Sequence, residues 1–323
     1  MPRETKESVR ISAPVNYAAQ NRAVTAADYK TLITNNFPTL KDVSVWGGED
    51  ANPPVYGKVF IAPALWSQQP AGEILKKEIT DFLRYHNIGS ITTEVVDAEY
   101  TYVTLEVGYK FDLQSSSLSL NEADALVRDT VVSYSDVNLN RFDGILRQSR
   151  LTTLIDSADV GIQNSIIRPK MYKKFRPDPY SVTSYELLFP VSIYQSSSSE
   201  SVATSSWFSL NGQMAMFQDE PTSDTNVRKL YLVDPTTNER LDYYNDVGYI
   251  NLSNGIFTIN NLRFDSSDYV VITVRPNTYD IAPKYKQLLA INAEDVTVIG
   301  EMDTVSAYNI KGLSSYKPFT RHS

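Results

Sequence analysis

The 323-residue sequence predicts an α+β protein in which N-terminal helices pack on a small mixed sheet, followed by a mainly-β domain of the sandwich or open-barrel kind. Three observations predict it. Apolar residues at helical spacing occur only in the first half of the chain, and two of the predicted helices begin at capping-box sequences. Beyond Arg176-Pro-Asp-Pro179 helical spacing gives way to short alternating runs joined by Asn-Gly turns.

The first helix starts at Thr25-Ala-Ala-Asp28, where an acid three residues after the cap can reach back to the cap amide. Tyr29, Leu32 and Ile33 follow on one face, and the helix is expected to end before Pro38. Val43 and Val45 mark a strand, Gly47-Gly-Glu-Asp-Ala-Asn-Pro-Pro54 a loop, and the alternation of Val55, Gly57, Val59 and Ile61 a second strand. Pro70 is compatible with a helical first turn, so a helix is expected from there, with Ile74, Leu75, Ile79, Phe82 and Leu83 on its apolar face and Lys76, Lys77 and Asp81 on its wet face. Asn87 and Gly89 stop it.

Val103, Leu105, Val107, Tyr109 and Phe111 alternate with Thr104, Glu106, Gly108, Lys110 and Asp112, the period of a half-buried strand. Ser119-Leu-Asn-Glu122 is a full capping box, and Ala123, Leu126, Val127, Val131 and Tyr134 continue it as a helical stripe. A further helix is expected to carry Phe142, Ile145, Leu146, Leu154 and Ile155.

In the second half, Trp207-Phe-Ser-Leu210 and Gln213-Met-Ala-Met-Phe217 flank Asn211-Gly212, and Tyr249-Ile-Asn-Leu252 and Ile256-Phe-Thr-Ile259 flank Ser253-Asn-Gly255. Leu230 to Val233 is expected to turn through Asp234-Pro-Thr-Thr-Asn238, and Tyr269 to Val274 to be a buried strand. Ser196 to Ser199 has the composition of a loop tip. The expected domains are 1–177 (α+β), 178–280 (all-β) and 281–323, an extension with apolar clusters only at 288–291 and 296–299.

Composition narrows the function. An apolar fraction of 42% with 21% charged residues is that of a chain able to bury a core. A net charge of -8 without a basic stripe argues against a nucleic-acid partner. The nearest approach, Arg168-Pro-Lys-Met-Tyr-Lys-Lys-Phe-Arg176, reads more plainly as one exposed strand. No apolar run approaches the ~20 residues that cross a bilayer, so no membrane partner is expected.

Catalytic and metal chemistry find little to work with. The sequence has no cysteine, which excludes thiolate sites and disulfides, and only His86 and His322. His86 falls where a helix C-terminus would favour an imidazolium, and His322 is one residue from the end. Gly47-Gly-Glu-Asp50 resembles the acidic turn of diguanylate cyclases, but Ala51-Asn-Pro-Pro54 replaces what should follow. Asp234 to Arg240 lacks the central glycine and terminal glutamate of a calcium loop, and no glycine-rich phosphate cradle occurs. Asp112, Glu122, Asp124 and Asp143 sit where capping and solvation explain them. No enzyme activity, cofactor, metal or small-molecule substrate is expected. The 21 tyrosines, several of them in the β half (Tyr231, Tyr243, Tyr244, Tyr249, Tyr269), suit either interfaces or strand packing.

Asn21-Arg-Ala-Val-Thr-Ala-Ala-Asp-Tyr29, Phe37-Pro38, Val43-Ser-Val-Trp-Gly-Gly-Glu-Asp50 and Pro54-Val-Tyr-Gly-Lys-Val-Phe-Ile61 together resemble the baseplate J-like family of contractile phage tails. The resemblance is strong over residues ~17 to ~65, and the later helices and strand agree in order. It implies a non-catalytic baseplate wedge subunit that pairs with a second copy and joins neighbouring wedge subunits in a ring around the tail hub. Such a ring holds the tail extended and rearranges on infection. It also implies residence in the virion after assembly in the host cytoplasm. Because the chain begins close to the motif, it is expected to be the C-terminal part of a longer subunit.

The family supplies no catalytic residues. Partner-interface candidates are Trp46, Glu49, Asp50 and Tyr56, because a tryptophan beside a rigid Pro-Pro loop suits an anchor, although a core position for Trp46 is the plainer reading. The competing function is a tail-associated carbohydrate-binding or depolymerising module, for which the aromatic β half would supply a sugar platform.

Overall fold

The computed structural model describes residues 10, 22–51, 53–89, 91–196, 200–241, 244 and 246–303. The chain forms two compact units, each assembled from separated stretches: Met1–Thr101 with Asn138–Ile145 and Ala282–Ala290, and Tyr102–Val137 with Leu146–Ile281 and Ile291–Ser323.

In the first unit α1 (Ala26–Asn36) is capped as its sequence predicts. Thr25 accepts from the Asp28 amide, and the Asp28 carboxylate accepts from the Thr25 amide at 2.8 Å. Tyr29, Leu32 and Ile33 are buried. β1 (Leu40–Gly47) and β2 (Lys58–Leu65) pair antiparallel, and β3 (Thr92–Val95) lies parallel to β2, so the sheet is mixed. One sheet face, with Val43 and Ile61, packs with Tyr29, Leu32 and Ile33 of α1 and with Ile79 and Leu83 of α2 (Glu73–Arg84). Each such aliphatic side chain contributes about 1.5–3 kcal/mol on burial. The other face, with Ala62 and Ala64, packs against Phe142 and Leu288 from the two distant stretches.

Two expectations are corrected here. The second helix begins at Glu73 after Gly72, so Pro70 lies outside it, and Ile74 is 78% exposed instead of lying on the buried face. Lys76, on the wet face, is held by both Glu73 and Asp97 at 2.9 Å. Gly57 takes φ +77, a left-handed turn that ends extended pairing, so Val55 and Gly57 precede β2 and are not part of it.

In the second unit β4 (Glu99–Phe111) alternates as expected, with Val103, Leu105, Val107, Tyr109 and Phe111 buried. The α3 helix (Leu120–Tyr134) begins at the Ser119 capping box and buries Ala123, Val127, Val131 and Tyr134. The Tyr109 hydroxyl donates to Asp124 of α3 at 2.8 Å, a bond between strand and helix.

The expected helix through Phe142 is corrected. A π-turn (Ser135–Leu139) ends α3, and α4 spans only Gln148–Asp156. Phe142 and Leu146 are buried outside any helix. Two features oppose a regular helix here: a tight turn at Gly144, where a Cβ would come within 2.2 Å of the Leu139 carbonyl oxygen, and pairing of Leu146 with the distant Ile281.

β5 (Ile162–Phe175) is a central strand, paired with β4 on one side and β13 (Val270–Val274) on the other, with β7 (Ala203–Ser205) beyond β13. The Arg168 to Arg176 stretch therefore exposes only one face, and Met171, Tyr172 and Lys173 are buried. β13 alternates in burial instead of being buried throughout. β15 (Val296–Met302) pairs parallel with β4, and β14 (Gln287–Ala290), in the first unit, is buried along its whole length. Within the stretch of weak sequence pattern, residues 287–290 and 296–302 thus form strands.

The remaining strands form a curled antiparallel sheet in the order β6 (Thr183–Leu188), β12 (Ile256–Leu262), β11 (Gly248–Asn251), β10 (Val227–Val233), β9 (Gln213–Pro221), β8 (Phe208–Leu210). Both predicted hairpins are present. Asn211 and Gly212 take φ +51 and +78, the left-handed pair that a two-residue hairpin requires. Helices followed by a mainly-β part make the fold α+β. Ser197 to Ser199, Tyr243 and His322, singled out in the sequence, lie outside the described residues.

Candidate functional site

The turn end of the β1–β2 hairpin carries a groove of about 710 Å³ in the first unit. Its walls include Trp46 at the end of β1, Glu49 and Asp50 in the short 3₁₀ turn after it, and Lys58 at the start of β2. Tyr29 and Asp143 line it as well, and Tyr285 closes it from a distant stretch. Three of the four predicted interface residues thus share one concavity. Tyr56, the fourth, is 83% exposed on the adjacent turn and does not line it.

Trp46 is half-buried. Its ring stacks on Phe60, the cross-strand partner in register, at 5.7 Å, and Tyr285 lies at 5.8 Å, so three rings form a row. Lys58 continues the row, its ammonium 5.7 Å from the Phe60 ring and 2.6 Å from Glu94. Tyr285 holds φ +47, which costs a bulky residue backbone strain, and the residue is 49% exposed.

The turn bearing the acids is fixed by packing. The Gly48 carbonyl accepts from the Ala51 and Val55 amides at 3.2 and 2.8 Å, and a Cβ on Gly48 would lie 1.9 Å from the Val55 carbonyl oxygen. Only glycine fits there, so Glu49 and Asp50 are presented to solvent from a rigid support. Neither forms an ion pair among the described residues. Asp143, its side chain 85% exposed, lies 3.8 Å from Lys30, whose closer partner is Asp42 at 2.9 Å. Asp42 in turn accepts from the Phe142 amide at 3.0 Å, which ties the 138–145 stretch to the sheet.

At the floor, Tyr29 is 1% exposed, and its hydroxyl has no hydrogen-bond partner among the described residues. Burial, and then the nearby Asp28 charge, push that phenol above its ordinary pKa, so it stays neutral. The arrangement offers no nucleophile paired with a base. Among the described residues no cluster of metal-ligating side chains occurs. His86 lies just past α2, its Nδ1 2.9 Å from the Phe82 carbonyl oxygen and its ring against Phe82, a structural position. No described helix is long and apolar enough to cross a membrane.

Sequence reasoning missed Lys58, Asp143 and Tyr285 as groove residues. The last two come from stretches ~100 and ~240 residues away, and no local pattern links them to Trp46.

Comparison with known proteins supplies a class first. Residues 25–96, which span α1 to β3 and hold Trp46, Glu49 and Asp50, match the family described as baseplate structural protein gp6, C-terminal domain I. Together with the individual relative, this match supports a baseplate wedge-like family. That relative is baseplate wedge protein gp6 of Enterobacteria phage T4, 22% identical over 171 residues, covering 53% of this chain. The chain spans about a quarter (26%) of the length of that relative. A chain of the anti-feeding prophage (AFP) baseplate structure is similar over 52% of this chain and 38% of its own length, at 14% identity and a TM-score of 0.34, too slight a likeness to bear on the fold.

Proposed function

We propose that this chain is a structural wedge subunit of a contractile phage tail baseplate and acts through surfaces, without catalysis. The observation that carries the reading is the match at residues 25–96, which falls on a complete α–β–β–α–β arrangement whose capping box and hairpin register are formed. The narrower resemblance to the baseplate J-like family rests on the motif between Asn21 and Ile61 and belongs to the same proposal. In this reading the subunit pairs with a second copy, joins other wedge subunits in a ring, and resides in the virion baseplate after assembly in the host cytoplasm. Trp46, Glu49, Asp50 and Tyr56 would lie at a partner interface.

Light scattering of the purified chain, combined with a screen against host-surface polysaccharides and localisation by electron microscopy in intact virions, tests it. A dimer without glycan affinity, found at the tail end, is the expected result. A monomer that binds or cleaves a polysaccharide would replace the proposal with the carbohydrate-binding or depolymerising module.

A further inference from the structure

We infer that the groove at the end of the β1–β2 hairpin is a receptor for a cationic side chain, arginine or lysine, presented by a linear segment of a partner protein. The inference rests on the reading above that this end of the first unit is an interface, and it adds the chemistry of what enters.

Charge decides the sign of the occupant. Glu49, Asp50 and Asp143 line the groove, whereas its lysine, Lys58, is neutralised by Glu94 at 2.6 Å. Glu49 and Asp50 spend their charge on no ion pair among the described residues, and Asp143 holds Lys30 only at 3.8 Å. An anionic segment would meet unopposed carboxylates, and a neutral one would leave them unused.

Shape decides that the cation comes on a stem. The acids line the same groove as Trp46 and Tyr285, and Tyr285 is about half exposed. A lysine or arginine lays its methylenes along aromatic surface while its head reaches carboxylates, and a ring face itself attracts a cation. Tyr285 takes φ +47, and its ring lies 5.8 Å from that of Trp46. Tyr29 also lines the groove, and its buried hydroxyl has no hydrogen-bond partner among the described residues. A volume of about 710 Å³ exceeds what one side chain fills and lies within the span of small-ligand sites, so flanking backbone enters too.

The test uses the full chain with Trp66→Phe and Trp207→Phe, both exposed positions, so that Trp46 is the fluorescent reporter. Acetyl-Gly-Ala-Arg-Ala-Gly-amide and the same peptide with norleucine in place of arginine are titrated at low and high salt. Saturable change with the arginine peptide, at least about fivefold weaker with norleucine and weakened by salt, is expected. Glu49→Gln with Asp50→Asn should weaken binding about fivefold or more, and Asp143→Asn, at a side chain 85% exposed, gives a second variant with little risk to folding. Equal binding of both peptides, no saturation up to ~10 mM, or unchanged affinity in the acid variants would overturn the inference. If no peptide binds while Tyr285→Ala still abolishes self-association, the cationic-receptor inference falls and the interface reading stands.

Discussion

Asp219 and Arg228, on adjacent strands β9 and β10, form a fully buried ion pair, with side chains 0% and 1% exposed. Asp219 Oδ2 accepts from Arg228 Nε. Its Oδ1 accepts from the Val202 and Ala203 amides, both at 2.9 Å, and from the Ser201 hydroxyl. The arginine spends its other nitrogens on the Ser196 and Glu200 carbonyls at 2.9 and 2.8 Å. The pair therefore clamps both ends of the serine-rich loop to the sheet. Asp219→Ala would strand a buried guanidinium and remove the acceptor of two backbone amides. Losing one member of a buried pair costs about 3–5 kcal/mol. Replacing both with apolar residues of similar size, Asp219→Leu with Arg228→Met, removes the stranded charge and should recover much of that loss. Urea unfolding at constant slope measures each variant, and the double-mutant cycle isolates the coupling. If Asp219→Ala cost under about 1 kcal/mol, or the double variant were as unstable as the sum of the singles, the pair could not be the clamp described.

Further outcomes follow from local geometry. Ser119→Ala should cost about 1 kcal/mol in urea unfolding, because the Ser119–Glu122 capping box is formed on both sides. Gly48→Ala forces a Cβ against the Val55 carbonyl and should destabilise by about 1–3 kcal/mol, with the same measurement as check. Asp265 accepts from the Ser209 hydroxyl and the Gly212 and Asn211 amides, and these bonds hold its carboxyl below the ordinary value. Because its folded pKa is depressed, its contribution is fully present above the unfolded value of about 3.9 and is lost as pH falls through the lower folded value. The urea midpoint of Asp265→Asn should therefore fall less than that of the parent chain between pH 5 and pH 2, and parallel curves would refute the assignment.

Local signals were legible wherever one chemistry acts over a few residues. Thr25 and Ser119 could be read as caps because a hydroxyl and an acid three residues apart satisfy each other's amides, and Asn211-Gly212 as a turn because few other residues tolerate two successive left-handed conformations. Reading failed where distant chain decides. Leu146 looks helical by spacing, yet its amide and carbonyl pair with Ile281, 135 positions away, which holds it extended. Leu288 and Leu289 look like fragments of a tail, but both are 0% exposed, and the neighbouring Lys286 reaches Glu99 through its carbonyl and its ammonium. Burial of that kind leaves no periodicity, because the strand is short and covered on both faces.

The same reasoning separates the matched segment from the site. Residues 25–96 contain α1, α2, β1 to β3 and all four anticipated interface residues, but not Phe142, Asp143, Tyr285 or Leu288. Without these, the Ala62 and Ala64 face loses Phe142 and Leu288 as packing partners and the aromatic row ends at Trp46. An uncovered apolar sheet face invites association. The matched segment therefore supplies one wall of the groove, whereas Asp143 and Tyr285 come from stretches outside it. Substituting Asp143 or Tyr285 would therefore change the groove's charge or its aromatic row while leaving the matched segment itself unaltered.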